Sequence, residues 1–422
     1  MIITVKNLGV IKKAEFDTSK KLTVFCGPNS TGKTYLSYVI NAIHSDYLFT
    51  TFKLKSFEEV KTALSRNEKI KIKREYIGEL LSKISSACKK NIGEIFGISE
   101  EKEKVLFEKF TVNFSLSDIE YDDIINYSDE IDTFLHTSAQ KFGEFDWVAI
   151  LRLLLFGSSV YMFPVERNSI YTFKTELSTN RNQLIDKILL EKKSSKITDI
   201  VKKTARLYPL VIRNSITFAN TLENIQKKYS DLRKLAEEIE DRLLHGRISI
   251  NQNGEIDYKV KDVSLPFGIS SSIVKTLSNL IVTLKYQVDD KSLLIIDEPE
   301  MNLHPNHQVI LAEVLAKISN NVRMVVSTHS DYIIREFNNL IVAKSLEKKG
   351  NKLYQQFYDK DSLLDFNEVQ VLYFDFSKNG NVNVKSLDVD EYGFAVESMD
   401  ETVRIQNQRS NTLYIEMDND EN

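Results

Sequence analysis

An eight-residue segment near the start of the chain restricts the folds open to it more than any other feature does. Residues 27–34 read GPNSTGKT, which matches the phosphate-loop pattern G-x-x-x-x-G-K-[ST] at every defined position. A β-forming run at residues 21–26 precedes this loop, and a helix-length apolar run at residues 35–43 follows it. This succession of strand, loop and helix predicts an α/β fold that binds phosphate where the helix begins.

The residue types in this loop suit a nucleotide. Glycines at both ends let successive backbone N–H groups turn toward a phosphate, where the helix dipole adds positive potential. We expect Lys33 to reach the β- and γ-phosphates and the Thr34 hydroxyl to ligate Mg²⁺. The predicted nucleotide-binding residues are Gly27, Pro28, Asn29, Ser30, Thr31, Gly32, Lys33 and Thr34.

Two later apolar runs end in polar residues. Residues 293–296 lead to Asp297 and Glu298, and residues 324–326 lead to STHS, which contains His329. Ligands bind at the carboxyl ends of strands in open α/β sheets, so we expect these residues beside the phosphate loop. Asp297 is predicted to hold Mg²⁺ through water, Glu298 to activate the attacking water, and His329 to contact the γ-phosphate. Solvated acids after a strand and a structural histidine are the alternatives.

These motifs resemble the ABC-type ATPases of the SMC and OLD (overcoming lysogenisation defect) group. The resemblance rests on the early phosphate loop, on DEPE at residues 297–300 followed by NLHP at residues 302–305, and on STHS at residues 327–330. It implies two ATPase heads that enclose two ATP molecules, with a serine of the opposite subunit on each γ-phosphate. Residues 302–305 resemble the D-loop that crosses this interface.

The resemblance places the serine that acts on the opposite subunit within residues 270–272. The candidates are Ser270, Ser271 and Ser272. The two glycines that follow this serine in transporters are absent, and a simple helix cap is the alternative. Residues 164–167 (PVER) stand where the family has a glutamine loop, so Glu166 or Arg167 is expected to face the nucleotide. A surface turn explains this segment equally well.

The predicted fold class is α/β, an ABC-type P-loop ATPase head with a mixed, largely parallel sheet flanked by helices and with mainly helical lobes inserted. A distance of 264 residues from Lys33 to Asp297 requires such insertions. Within the first one, the alternating residues 69–74 suggest a short strand. The predicted domains are 1–44 and 248–345 (head), 45–150 (mainly helical insertion), 151–174 (return strand and glutamine-loop segment), 175–247 (helical arm or lobe) and 346–422 (small β-rich C-terminal region with an acidic tail).

Composition limits the partners of the chain. A net charge of −4 over 422 residues excludes a protein that coats nucleic acid through bulk charge. Basic clusters at residues 53–74 and 187–206 leave nucleic acid open as a partner, and solvated helix faces explain them equally well. The longest apolar run, residues 147–163, contains Arg152 and is too short to span a bilayer, so no membrane is expected. Two cysteines favour a reducing, cytoplasmic setting.

The residues predict Mg²⁺-dependent ATP hydrolysis, with Lys33, Glu298 and His329 as catalytic residues. The resemblance implies a homodimer closed around ATP, or a higher oligomer, that controls a separately encoded effector in bacterial anti-phage defence. Two alternatives stay open. One is a nucleotide-sensing scaffold or toxin regulator with little turnover, and the other is an SMC-like repair ATPase that clamps DNA.

Overall fold

The computed structural model describes residues 1–49, 52–138, 143–172, 206–225 and 229–420, together with the single positions 176, 179, 197 and 204. Its strands are β1 (Ile2–Leu8), β2 (Ile11–Asp17), β3 (Leu22–Cys26), β4 (Thr111–Ser115), β5 (Val160–Phe163), β6 (Arg247–Ile250), β7 (Ile256–Val260), β8 (Val263–Pro266), β9 (Leu293–Asp297), β10 (Arg323–Ser327), β11 (Val369–Phe376) and β12 (Val382–Leu387).

Helices occupy most of the remaining described chain. They are Lys33–His44, Lys55–Ser65, Arg74–Lys90, Ile92–Phe96, Glu100–Phe107, Asp118–Asn126, Ser128–Ser138, Glu144–Phe156, Arg167–Thr172, Leu210–Asn220, Arg233–Ile239, Ser272–Tyr286, Pro305–Asn321, Asp331–Lys348 and Glu397–Asp420. We call Lys33–His44 the P-loop helix and Ser272–Tyr286 the serine helix. None of these helices is both long enough and apolar enough to cross a bilayer.

A nine-stranded mixed sheet organises the molecule, in the order β4-β1-β2-β12-β11-β3-β10-β9-β5. Most neighbouring strands in it are parallel, including β3 with β10 and β10 with β9. β6 and β7 form a hairpin that joins β8 in a separate antiparallel sheet. The prediction of an α/β fold with a mixed, largely parallel sheet flanked by helices is confirmed.

The centre of the main sheet is buried on both faces. Along β9, Leu293 and Ile295 pack into one hydrophobic core, whereas Leu294 and Ile296 pack into the other. Successive side chains of a strand point to opposite faces, so a strand covered on both sides needs a continuous apolar run. This requirement explains why β9 and β10 stand out so clearly in the sequence.

The first predicted insertion, residues 45–150, packs onto this sheet. Its helices carry many buried apolar residues that belong to the same core as Phe25 of β3. It also contains β4, which pairs antiparallel with the edge strand β1. Trp147 is fully buried within it, and its Nε1 donates a hydrogen bond to the Ser56 hydroxyl over 3.1 Å. The insertion therefore extends the core of the head.

The prediction of a short strand at residues 69–74 is wrong. Ile70 and Ile72 are buried as the alternation indicates, but residues 68–73 have no regular secondary structure. Their backbone N–H groups donate to side chains, from Ile70 to Asp132 Oδ1 over 2.6 Å and from Ile72 to Ser128 Oγ over 3.0 Å. Alternation shows which side chains are buried, and it cannot show whether a partner strand is present.

The C-terminal part of the chain, predicted as a small β-rich region of its own, completes the main sheet. β11 pairs in parallel with β3, and β12 joins β11 to β2. Residues 397–420 form a helix. Phe374 of β11 is fully buried with its ring centroid 5.4 Å from that of Phe25. These contacts are long-range in sequence, so local pattern could not reveal them.

The second predicted insertion, residues 175–247, is described only in part. Residues 210–220 form a helix, and residues 233–239 form another that continues as a π-helix over Glu240–Leu244. All but one of the basic residues predicted to cluster at 187–206 lie outside the described residues. The exception, Arg206, has its Nη1 2.6 Å from Glu103 Oε2.

The place of β11 in the main sheet can be tested by measuring the free energy of unfolding of two variants. We expect Phe374→Ala to lower the free energy of unfolding by about 3–5 kcal/mol, because it removes a large buried ring from the core around Phe25. Phe376 lies on the same strand with 46% of its surface exposed, and Phe376→Ala should cost less than about 1 kcal/mol. Urea titration measures both. Equal losses, or a loss confined to a separate unfolding transition, would contradict this assignment.

Candidate functional site

Three parallel strands bring the predicted motifs to one edge of the main sheet. Ser327 at the end of β10 lies opposite Asp297 of β9 on one side and Phe25 of β3 on the other. The ladder continues past the strand ends, where the Glu298 N–H donates to the Ser327 carbonyl over 2.8 Å. The phosphate loop, the acidic pair and His329 consequently follow neighbouring strands.

The phosphate loop has the backbone that the sequence predicts for an anion cradle. Gly27, Ser30 and Gly32 have φ angles of +129°, +62° and +87°, in the region that favours glycine. A Cβ atom at Gly27 would lie 2.2 Å from the Phe374 carbonyl oxygen, so space as well as conformation requires glycine there. The P-loop helix begins at Lys33 without a side-chain cap, which leaves its first N–H groups directed toward the loop.

Lys33 lies inside the loop. Its Nζ donates to the carbonyl oxygens of Gly27 over 2.9 Å and Pro28 over 2.7 Å. Only 5% of its surface is exposed. Burial lowers the pKa of Lys33 to about 8, and the charge of Asp297 opposes this shift. Lys33 thus carries a positive charge that is poorly neutralised until an anion occupies the loop.

Thr34 and Asp297 join the two main motifs directly. The Thr34 hydroxyl donates to Asp297 Oδ2 over 2.7 Å. Asp297 is almost fully buried, and burial raises the pKa of its carboxyl group. Its other oxygen, Oδ1, is also buried and has no hydrogen-bond partner within the described residues. A hydroxyl and a carboxylate oxygen with free acceptor capacity are ligands that suit Mg²⁺.

No group of three or more His, Cys, Asp and Glu side chains in the described part of the chain is arranged to hold a metal ion. Oxygen atoms from outside the protein can complete the coordination of a cation at Thr34 and Asp297. The phosphate oxygens of a nucleotide and water molecules are such ligands, and Mg²⁺ in nucleotide enzymes is commonly held in this way.

Glu298 and His329 face each other at the mouth of the site. Glu298 Oε1 is 3.9 Å from His329 Nε2, and both side chains are partly exposed. Burial, reinforced by the nearby Asp297, raises the pKa of Glu298. Burial and the charge of Lys33 lower the pKa of His329 to about 4, so this imidazole is neutral at pH 7. Glu298 can accept a proton, and a neutral His329 can hydrogen-bond an anion without adding charge.

Glu300 supports His329, a role that the sequence did not suggest. Its Oε1 accepts hydrogen bonds from the Thr328 hydroxyl over 2.9 Å and the His329 N–H over 2.7 Å. Burial raises the pKa of this carboxyl group. The only available signal was its place in DEPE, and the two partners lie 28 and 29 residues away.

These side chains surround one cleft of about 430 Å³, a volume typical of ligand pockets. Two residues without a sequence prediction, Val10 and Tyr35, also line it. The full lining is Val10, Asn29, Ser30, Thr31, Gly32, Lys33, Thr34, Tyr35, Asp297, Glu298, Ser327 and His329.

The three candidate serines lie outside this cleft, at the start of the serine helix. Ser270 is buried, and its hydroxyl donates to the Pro266 carbonyl over 3.1 Å. Ser271 and Ser272 are exposed, and Ser271 occupies the cap position without making a side-chain cap hydrogen bond. Ser271 thus has the cap position of the helix-cap alternative without the side-chain hydrogen bond of a cap, and of the three serines only Ser271 and Ser272 are exposed.

The segment predicted as the glutamine-loop counterpart differs from expectation at Arg167. Glu166 is exposed, but Arg167 is buried and does not line the cleft. Its Nη1 and Nη2 donate to the carbonyl oxygens of Asp297 over 2.8 Å and Glu298 over 2.7 Å. Of these two residues, Arg167 is therefore not the one that faces the nucleotide, because backbone acceptors behind the acidic pair engage its guanidinium group.

Because the pKa of Lys33 is lowered to about 8, we expect the binding of ATP to be coupled to the uptake of a proton at high pH. Lys33 is mostly uncharged at about pH 9, and a bound triphosphate restores its charge, so binding should take up about one proton. At about pH 7 it is already charged and no uptake is expected. Calorimetric titrations in two buffers of different ionisation enthalpy measure this number.

The variant Lys33→Arg provides the control for this experiment. Arginine stays charged at both pH values, so any binding that it retains should proceed without proton uptake. Equal uptake by the parent protein at the two pH values, or none at about pH 9, is incompatible with the lowered pKa.

Comparisons with known proteins find a family match over part of the chain. A family described as an AAA ATPase domain matches residues 155–334, which include β5, the serine helix, β9 and β10 but not the phosphate loop. No curated protein matches the sequence.

Solved structures of SMC head domains are similar to the chain at low identity. The SMC head bound to the C-winged helix domain of ScpA has a TM-score of 0.37 and 12% identity, and the match covers 92% of this chain and 98% of that one. The SMC head domain from Thermotoga maritima has a TM-score of 0.32 and 9% identity, with the same coverage. Residues 155–334 are thus similar to an AAA ATPase domain, and the site geometry carries the assignment of chemistry.

Proposed function

We propose that this protein binds ATP and hydrolyses it with Mg²⁺. The hydrogen bond between Thr34 and Asp297 is the observation that carries the proposal, because it unites the phosphate loop with the acidic strand. The same cleft contains a lysine, a partly exposed glutamate and a neutral histidine. Phosphoryl transfer depends mainly on positioning and electrostatic stabilisation, and these groups provide both.

Each residue has a distinct part in the proposed reaction. Lys33 and the N–H groups of the loop neutralise phosphate charge. Thr34 and Asp297 would hold Mg²⁺, which when bound offsets negative charge on the phosphate oxygens. Glu298 orients the attacking water and accepts its proton, for which its raised pKa is suitable. His329 donates a hydrogen bond toward the γ-phosphate, and Glu300 holds its backbone.

The base can be tested with Glu298→Gln. This variant keeps the shape of the side chain and loses the proton acceptor, so we expect turnover to fall at least about 100-fold while ATP affinity is retained. Phosphate release under saturating ATP and equilibrium binding measure the two quantities. Asp290→Asn changes an exposed acid near the opposite end of β9 and serves as the control. Turnover by Glu298→Gln at the rate of the parent protein excludes Glu298 as the base.

We further propose that two copies of the chain close around ATP. The exposure of Ser271 and Ser272 at a helix start supports this, because serine hydroxyls and free N–H groups there suit a phosphate supplied by a facing subunit. Their absence from the cleft of their own chain agrees with action on the opposite subunit. ATP would then favour the closed dimer, and hydrolysis would favour the open state.

The dimer is tested by placing a bulky charged side chain at the interface. In the Glu298→Gln background we expect Ser271→Arg or Ser272→Arg to prevent ATP-dependent dimers, and the more sensitive position identifies the serine that contacts the γ-phosphate. Ser270→Ala is the control, since Ser270 is buried. Sedimentation with and without ATP measures dimers. Dimers that survive both substitutions, or no dimer in the parent background, contradict the proposal.

The effector and the biological role are proposed from the motif resemblance. The inserted segments are the parts of the chain that differ from a minimal head, so we assign partner choice to them. In the first insertion Lys73 and Arg74 are paired with Glu59 and Asp118, which leaves less basic charge for nucleic acid than the sequence suggested. A nuclease or toxin encoded beside this protein would support effector control in anti-phage defence.

Turnover with and without duplex DNA distinguishes the remaining candidates. Strong stimulation by DNA favours a clamp of the repair type. Tight ATP binding with negligible turnover favours a nucleotide-sensing scaffold. Substantial turnover that DNA does not change favours the proposed effector-controlling ATPase.

A further inference from the structure

Arg167 occupies an unusual position behind the acidic pair. It follows β5, only 3% of its surface is exposed, and it does not line the cleft. Its guanidinium group donates four hydrogen bonds, all to backbone carbonyl oxygens. The acceptors are Pro164 (2.9 Å), Asp297 (2.8 Å), Glu298 (2.7 Å) and Thr276 (3.2 Å). Buried arginine is costly unless its donors are satisfied, and this arrangement satisfies most of them.

One end of this arrangement controls the backbone of Glu298. The φ angle of Glu298 is +48°, in the left-handed region that residues with side chains rarely adopt. Its N–H donates to the Ser327 carbonyl over 2.8 Å, and its carbonyl accepts from Arg167. The peptide groups on both sides of Glu298 are therefore fixed, and the side chain is directed into the cleft from a strained backbone.

The other end reaches the serine helix. Arg167 Nε donates to the Thr276 carbonyl, one turn after Ser272. The Thr276 hydroxyl donates to the Ser272 carbonyl over 2.9 Å. It also accepts from Asn168 Nδ2 over 3.1 Å and from Asn302 Nδ2 over 3.3 Å. The segments 164–168, 297–302 and 272–276 thus meet around two side chains, Arg167 and Thr276.

We propose that Arg167 is a positioning residue that sets the geometry of Glu298 and couples it to the serine helix. This inference rests on the proposed ATPase function and on the proposed dimer. Within one chain, Glu298 serves the ATP bound by that chain, whereas Ser271 and Ser272 serve the ATP of the other subunit. A shift of the serine helix on engaging one ATP therefore changes the position of the base at the other, and the two sites hydrolyse cooperatively.

The first test compares two buried arginines. Arg167→Lys keeps the charge but loses the forked geometry that reaches Asp297 and Glu298 together. We expect kcat to fall at least about 10-fold with the dissociation constant for ATP within about twofold, because misplacing a catalytic group affects rate and leaves the phosphate loop intact. Arg152 is also buried and donates to the carbonyls of His44 (2.7 Å) and Ser158 (3.1 Å), away from the cleft. Arg152→Lys should lower the thermal midpoint and leave kcat unchanged.

The second test addresses coupling without changing the buried charge. Thr276→Val preserves side-chain shape and removes the hydroxyl that contacts Ser272, Asn168 and Asn302. We expect the Hill coefficient for ATP hydrolysis to fall from above 1 in the parent protein to about 1. This variant remains informative if Arg167→Lys does not fold.

The outcomes distinguish failure of the proposed ATPase function from failure of the positioning and coupling roles of Arg167 and Thr276. A parent protein that neither binds nor hydrolyses ATP refutes the proposed function itself. A parent that hydrolyses ATP, together with Arg167→Lys at the parental kcat, refutes the positioning role, as does an equal loss of kcat in Arg152→Lys. A Hill coefficient of 1 in the parent, or one unchanged by Thr276→Val, refutes the coupling.

Discussion

The hydrogen bond from the Thr34 hydroxyl to Asp297 joins two halves of a site that are 263 residues apart in the sequence. It forms because β3 and β9 lie on either side of β10 in parallel, so that their carboxyl ends meet at one edge. A shift of β10 by one residue would exchange its two faces and displace His329. The register of three strands is thus a condition for the chemistry.

The need to cover both faces also explains the size of the molecule. Helices from the first insertion bury apolar residues in the core that contains Phe25 and Phe374, and β4 extends the sheet at β1. The serine helix and the helix Pro305–Asn321 contribute to the core on the other face. The first insertion therefore has a structural role alongside any role in partner recognition. Substitutions of its buried residues will affect the stability of the whole head.

The sequence predicted those parts of the site whose signals are local. The phosphate loop, Asp297, Glu298 and His329 each follow a buried apolar strand, and a strand covered on both faces is easily recognised. Their assembly into one cleft followed from a general rule about parallel sheets.

The remaining features depend on contacts between distant segments. The resemblance placed Glu166 or Arg167 at the nucleotide, whereas three of the four carbonyl acceptors of Arg167 lie more than 100 residues away in the sequence. Glu300 had no assigned role in the sequence analysis because its partners, Thr328 and His329, are 28 and 29 residues away. The place of β11 beside β3 also depends on pairing between distant segments. Side-chain capacity to form hydrogen bonds can be read from sequence, but the choice of partner is made by the tertiary fold.

The contact between Gly27 and β11 has a consequence for biosynthesis. β3 is synthesised before its neighbour β11, and residues 27–368 separate the two strands in the sequence. The start of the phosphate loop packs against the Phe374 carbonyl, so its final shape requires that β11 has already been synthesised. At about 5–20 residues per second, the nascent protein waits many seconds before this loop can close.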